Sequence, residues 1–148
     1  MINTPDYIDR YFDKARRLGF EFGTFDPFSI AEQLNVEVRY VDFDTNPLGS
    51  ATKIMDDLII LVDTSLQNSN LRYFVVGHEL CHIINHNELG DYYLFQRHGK
   101  DKLEKEADLF SWSMIVRFYE ELFGEPAKCV QDVGHAFGLN NAQMNTLY

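Results

Sequence analysis

Between Val75 and Ile84 the chain reads Val-Val-Gly-His-Glu-Leu-Cys-His-Ile-Ile, an apolar run that carries His78, Glu79 and His82. A helix that is apolar on nearly every side has to be buried, and polar side chains inside it need partners there. On such a helix, residues four apart lie about 40° from each other around the axis and roughly 6 Å along it. His78 and His82 therefore project together and can grip one metal ion. Glu79 lies about 100° round from His78, near enough to serve a water on that metal without being a ligand. The pattern His-Glu-x-x-His in this setting predicts a zinc site with Glu79 as general base.

A catalytic zinc ion takes three protein ligands and keeps a fourth position open, so a further donor is required. Leu103, Ala107, Phe110, Met114, Phe118 and Leu122 recur at spacings of three and four, which predicts a long amphipathic helix between Asp101 and Gly124. Its start offers Glu104, Glu106 and Asp108. At 100° per residue, Glu104 falls with Ala107, Ser111, Ile115 and Phe118 on the inward face, which favours it as third ligand. Glu106 falls with Ser113, Arg117 and Glu120 and is expected to face water; it is the alternative ligand. Asp108, one turn beyond Glu104, suits a hydrogen bond to the distal nitrogen of a ligand histidine. Its alternative is a surface pairing with Lys105 or Lys102.

His78-Glu79-Leu80-Cys81-His82 followed by Glu104-x-x-x-Asp108 resembles the Glu-zincin arrangement. The wider frame resembles the ImmA/IrrE family of metallopeptidases. It runs from Arg72-Tyr73-Phe74-Val75-Val76-Gly77 through the histidine motif to Asn85-His86, then Glu104-Lys105-Glu106-Ala107-Asp108-Leu109-Phe110. The likeness covers roughly Asp26 to Val116. It implies a protein substrate, a helix-turn-helix transcriptional repressor whose cleavage relieves repression, and an origin in phages or mobile elements. Two other readings stay open: a partner-binding antirepressor that does not cut, and a hydrolase of small peptides. Where family members usually reach Met-Pro, this chain reads Ser111-Trp112-Ser113-Met114-Ile115-Val116-Arg117 without proline, so the helix is expected to run on to Leu122.

A chain of 148 residues that is 45% hydrophobic and 14% aromatic is expected to build one domain with a real core. We divide it into an N-terminal helix 5–18, a core at about 26–123 and a helical extension 126–148. Its net charge of −10 argues against direct nucleic-acid binding, because phosphate rewards clustered Lys and Arg. An acidic surface suits a basic protein partner instead. No membrane span and no secretory signal are read, which makes the cytoplasm the expected location. Cys81 and Cys129 are too few for a disulfide framework, and Cys81 is expected to be a small buried side chain.

The remaining pattern predicts an α+β fold: a small three-stranded sheet packed with several helices. Pro5 to Leu18 reads as a helix stopped by Gly19, and Asp26-Pro27 caps a short helix ending near Asn35. Strands are expected at Val36–Val41, Leu48–Met55 and Leu58–Val62, with a turn at Asp56-Asp57. The metal helix should start near Asn70. The connection Asn87 to Lys100 carries Tyr92, Tyr93, Arg97 and His98; of these, His98, Tyr92 and Tyr93 are candidates to stabilise a transition state above the metal. His86 would stand about 12 Å from His78 along a helix, too far for both to bind one ion. His135 is expected to be an ordinary histidine of a C-terminal helix.

Overall fold

The computed structural model describes residues 6–44, 47–85, 92–93, 102–145 and 147. Two helices come first, α1 (Asp6–Phe22) and α2 (Pro27–Gln33). Strands β1 (Glu37–Val41), β2 (Gly49–Ile54) and β3 (Asp57–Asp63) follow, then a short 3₁₀ turn and α3 (Leu71–Asn85). A two-residue strand β4 (Tyr92–Tyr93) precedes the long α4 (Lys102–Phe123), and α5 (Val130–Ala136) and α6 (Asn141–Asn145) close the chain. This is the expected α+β layout, with β4 added to the three expected strands.

The sheet has the order β1-β3-β2-β4, with β1 parallel and β2 antiparallel to β3. The β2–β3 hairpin pairs Ile54 with Asp57, so the turn lies at Met55-Asp56, one residue earlier than the expected Asp56-Asp57. Met55 takes the left-handed conformation there (φ 59°) and is 92% exposed. β4 extends the sheet beyond β2 by pairing with Ser50 and Gly49.

α3 packs on β2 and β3, on α2 and on α4, and α4 packs in turn on α1. Covered in this way, α3 buries Phe74, Val75, Val76 and Leu80 completely, as its continuous apolar run requires. α2 starts where Asp26 accepts a hydrogen bond from the Phe28 amide and Pro27 sits at its first turn, and Asn35 (φ 59°) follows its end. The N-terminal helix does not stop at Gly19. It runs on to Phe22, and Gly23 (φ +73°) terminates it. Gly19 makes room instead: a Cβ there would lie 2.0 Å from Cε1 of Phe25.

α4 runs unbroken past Leu122, as the lack of proline implied. Its apolar stripe is buried from Ala107 to Phe118, while Leu103 and Leu122 near its ends are 41% and 55% exposed. Among the described residues no helix is long and apolar enough to cross a membrane.

Candidate metal centre

Where α3 meets α4, a close approach sets the spacing. Gly77 faces Ser111: a Cβ at Gly77 would lie 2.5 Å from Ser111 Oγ. That hydroxyl donates to the Phe74 carbonyl at 2.5 Å, joining α4 to the backbone of α3 one turn before the histidines. The next inward residues are His78 and His82 on α3 and Glu104 and Asp108 on α4, all 0–1% exposed.

Three donor atoms converge there. His78 Nε2 and His82 Nε2 are 3.1 Å apart, His82 Nε2 is 2.8 Å from Glu104 Oε1, and His78 Nε2 is 3.1 Å from Glu104 Oε2. Ligands placed at about 2.0–2.1 Å around a tetrahedral ion are separated by about 3.3 Å. The observed triangle is close to one face of that tetrahedron, slightly contracted, and among the described residues these three form the group that can hold a metal ion. Two imidazoles and a carboxylate, all aimed at one point, fit a divalent cation. A tetrahedral ion in this set has one position left for a reactant.

Asp108 lies where expected, on His78: its Oδ1 accepts from Nδ1 at 2.9 Å. With Nδ1 donating, the Nε2 lone pair is directed toward the centre. Asp108 is wholly buried on that side, and Lys102 lies 3.8 Å from Glu106.

Electrostatics reflect this crowding of charge. Burial alone would push the His78 imidazolium pKa down. Hydrogen bonds to Asp108 and Glu104 and the nearby Glu79 charge outweigh that and raise it to about 9. His82 is displaced upward too, where burial is likewise outweighed by its bond to Glu104. Glu104 moves the other way: burial opposes its charge, but the two histidines hold it far below the usual carboxylate range. Glu79 is entirely buried, and both its carboxylate oxygens lack a hydrogen-bond partner among the described residues. Burial, reinforced by Glu104 and Asp108 and opposed by the two histidines, raises its pKa to about 7.

The expected outward face of α4 needs correction. Glu106 is only 5% exposed and Ser113 only 1%. α1 covers that side, and Tyr11 Oη donates to Glu106 Oε2 at 2.6 Å. Helix phase separates Glu106 from Glu104, but it cannot show that a second helix lies across the opposite face. Tyr11, Gly77 and Ser111 had no role in the sequence reading beyond apolar or small positions. Cys81 is buried, as expected, and its sulfur accepts from Asn85 Nδ2 at 3.7 Å, while Cys129 is exposed.

Of the candidates on the connection between α3 and α4, His86, Arg97 and His98 lie outside the described residues. Tyr92 and Tyr93 are described through their backbone in β4, and their side chains lie outside. β4 brings them beside Gly49 and Ser50 of β2. A Cβ on Gly49 would lie 3.5 Å from Glu79 Cγ, so β2 begins against the carboxylate-bearing turn of α3.

The family model of the IrrE N-terminal-like domain, a peptidase family, matches residues 31–128. No curated protein and no solved structure matches the chain. The matched stretch is well over half of the chain and holds both helices of the centre, and the resemblance read from His78-Glu79-x-x-His82 and Glu104-x-x-x-Asp108 agrees with it. The chain belongs to the IrrE N-terminal-like domain family and has a metallopeptidase-like fold with a buried His/His/Glu cluster able to bind a metal ion.

Proposed function

We propose that this protein is a zinc-dependent endopeptidase that acts in the cytoplasm and cleaves a helix-turn-helix repressor, relieving repression. One observation carries the catalytic part. Glu79 is a wholly buried carboxylate whose oxygens have no protein partner among the described residues, beside three donors that converge as a metal site does. A buried carboxylate without a partner costs several kcal/mol when ionised. A purely structural zinc would be closed by four protein ligands and has no use for such a group.

His78, His82 and Glu104 would hold the ion, and Asp108 keeps His78 in the tautomer that binding needs. When bound, zinc supplies Lewis acidity toward a water and the scissile carbonyl. Glu79 accepts the proton from the attacking water, since burial raises its basicity, and returns it to the leaving amine nitrogen. Tyr92, Tyr93 and His98 are the candidates to stabilise the oxyanion; the pairing of β4 with β2 supports the two tyrosines, because it sets their backbone beside Gly49, the residue of β2 that faces Glu79.

The substrate rests on family membership and on the net charge of −10, which favours a basic, DNA-binding partner. Two cysteines in 148 residues are too few for a disulfide framework, which fits a reducing compartment. The test is to incubate the protein with a candidate helix-turn-helix repressor, with and without chelator, and to resolve the products on a gel. Fragments that form only with metal support the reading. Release of an intact repressor from its operator points to the non-cleaving antirepressor, and turnover of short generic peptides alone to a small-peptide hydrolase.

A further inference from the structure

α1 lies outside the residues that match the family, which begin at residue 31, yet it touches both ligand helices. Tyr11 Oη donates to Glu106, two residues beyond Glu104 at the start of α4. One turn further along α1, Lys14 Nζ donates to Asn85 Oδ1 at 2.8 Å. Asn85 is the last residue of α3, three beyond His82. Lys14 also lies 5.8 Å from the centre of the Tyr11 ring, so the two contacts share one patch of α1. Ser113 Oγ donates to the Phe12 carbonyl at 3.5 Å and ties the same turn to α4 a second time.

The ends joined in this way are the C-terminal end of α3 and the N-terminal turn of α4. They are also the ends that carry His82 and Glu104, whose side chains meet at 2.8 Å across the helix pair. A ligand that must be ordered when the ion arrives subtracts that ordering cost from affinity; a ligand already held does not. The bond from Tyr11 is strong for a single contact, because it is short, buried and made to a carboxylate.

We propose that α1 is a brace for the metal centre, with Tyr11 and Lys14 as positioning residues that hold Glu104 and His82 at metal-binding separation before the ion arrives. This rests on the zinc reading above, and it assigns to a helix outside the family domain a part of this chain's metal affinity.

The test uses the whole chain with Tyr11→Phe, Lys14→Met and the double substitution, and with Arg17→Ala as a control on the exposed side of α1. Three quantities are read: zinc affinity by competition with a chelating dye, the visible spectrum of the cobalt(II)-loaded protein, and the rise in melting temperature on adding zinc. Tyr11→Phe should weaken zinc binding about tenfold, the share expected from one hydrogen bond to a charged group. Lys14→Met should weaken it less and the double substitution most. The cobalt spectrum should change, and the zinc-induced rise in melting temperature should shrink. Glu106→Gln, which keeps an acceptor for Tyr11, should stay closer to the unsubstituted protein than Glu106→Ala. If melting falls equally with and without zinc while affinity and spectrum stay put, α1 is merely structural and the brace is overturned; no change at all overturns it too. Should Tyr11→Phe fail to fold, the partly exposed Lys14→Met still gives the reading. An unsubstituted protein that binds no zinc removes the metal reading and the brace together, whereas zinc bound equally by all variants removes the brace alone.

Discussion

Glu79 and His78 are neighbours in sequence with opposite electrostatic tasks, and single substitutions separate them. Replacing Glu79 with Gln keeps volume and removes the basic oxygen. The expected result is unchanged zinc content and a melting temperature no lower than that of the unsubstituted protein, with cleavage reduced by about 10²–10⁴-fold, the range for loss of a general base, measured on metal-loaded protein. Retained cleavage would remove Glu79 from that role. Asp108→Ala should weaken zinc binding by about 10–100-fold, because His78 loses the acceptor that orients its ring. pH acts through the same residues. The folded pKa of His78 is raised to about 9, so the stability it lends the metal-free protein is complete below its ordinary value near 6.5 and is lost as pH rises through 9. Glu79, raised to about 7, acts with the same sign at lower pH. The chelator-treated protein should therefore melt at a lower temperature at pH 9 than at pH 6.5. Zinc must displace the proton on His78, so its affinity should climb across the same window; a flat titration would contradict the assignment. At this scale His78, Glu79, His82, Glu104 and Asp108 were legible in the sequence, because helical spacing places each with its neighbours. Tyr11 was not: a tyrosine on an amphipathic helix reads as core, and no periodicity shows that its hydroxyl meets a glutamate 95 positions away.

Among the elements, the contact between α3 and α4 decides whether a centre exists. Gly77 and Ser111 set that distance, and a methyl group at Gly77 would collide with Ser111. Gly77→Ala should destabilise the fold by about 1–3 kcal/mol in chemical denaturation and weaken zinc binding as well, since pushing α4 away carries Glu104 from the histidines. An unchanged midpoint would mean that Ser111 yields at no cost. The helices and strands themselves were largely readable, because the alternation in β1 and the threefold and fourfold spacing in α4 are strong local signals. What could not be read was which element covers which. The burial of Glu106 and Ser113 under α1 follows from a partner distant in sequence, and the hairpin turn at Met55-Asp56 from the register of β2 on β3, in which Ile54 pairs with Asp57.

For the molecule as a whole, metal and fold are linked. An ion that binds only the folded chain stabilises it by about 4 kcal/mol at a thousandfold excess over its dissociation constant, so chelation should lower the melting temperature by roughly 10 °C. The α+β layout and the family were both within reach of the sequence, since one motif and one helix phase carry them. The substrate was not, because its recognition depends on surface chemistry that has no spacing rule. The most direct measurement is the zinc content per chain after exhaustive dialysis, taken for the unsubstituted protein, Glu79→Gln, Glu104→Ala and Glu106→Ala. A centre built from His78, His82 and Glu104 predicts about one ion per chain for the first two, well under one for Glu104→Ala, and near-normal content for Glu106→Ala, which loses no ligand. Full zinc in Glu104→Ala, or none in the unsubstituted protein, would contradict it.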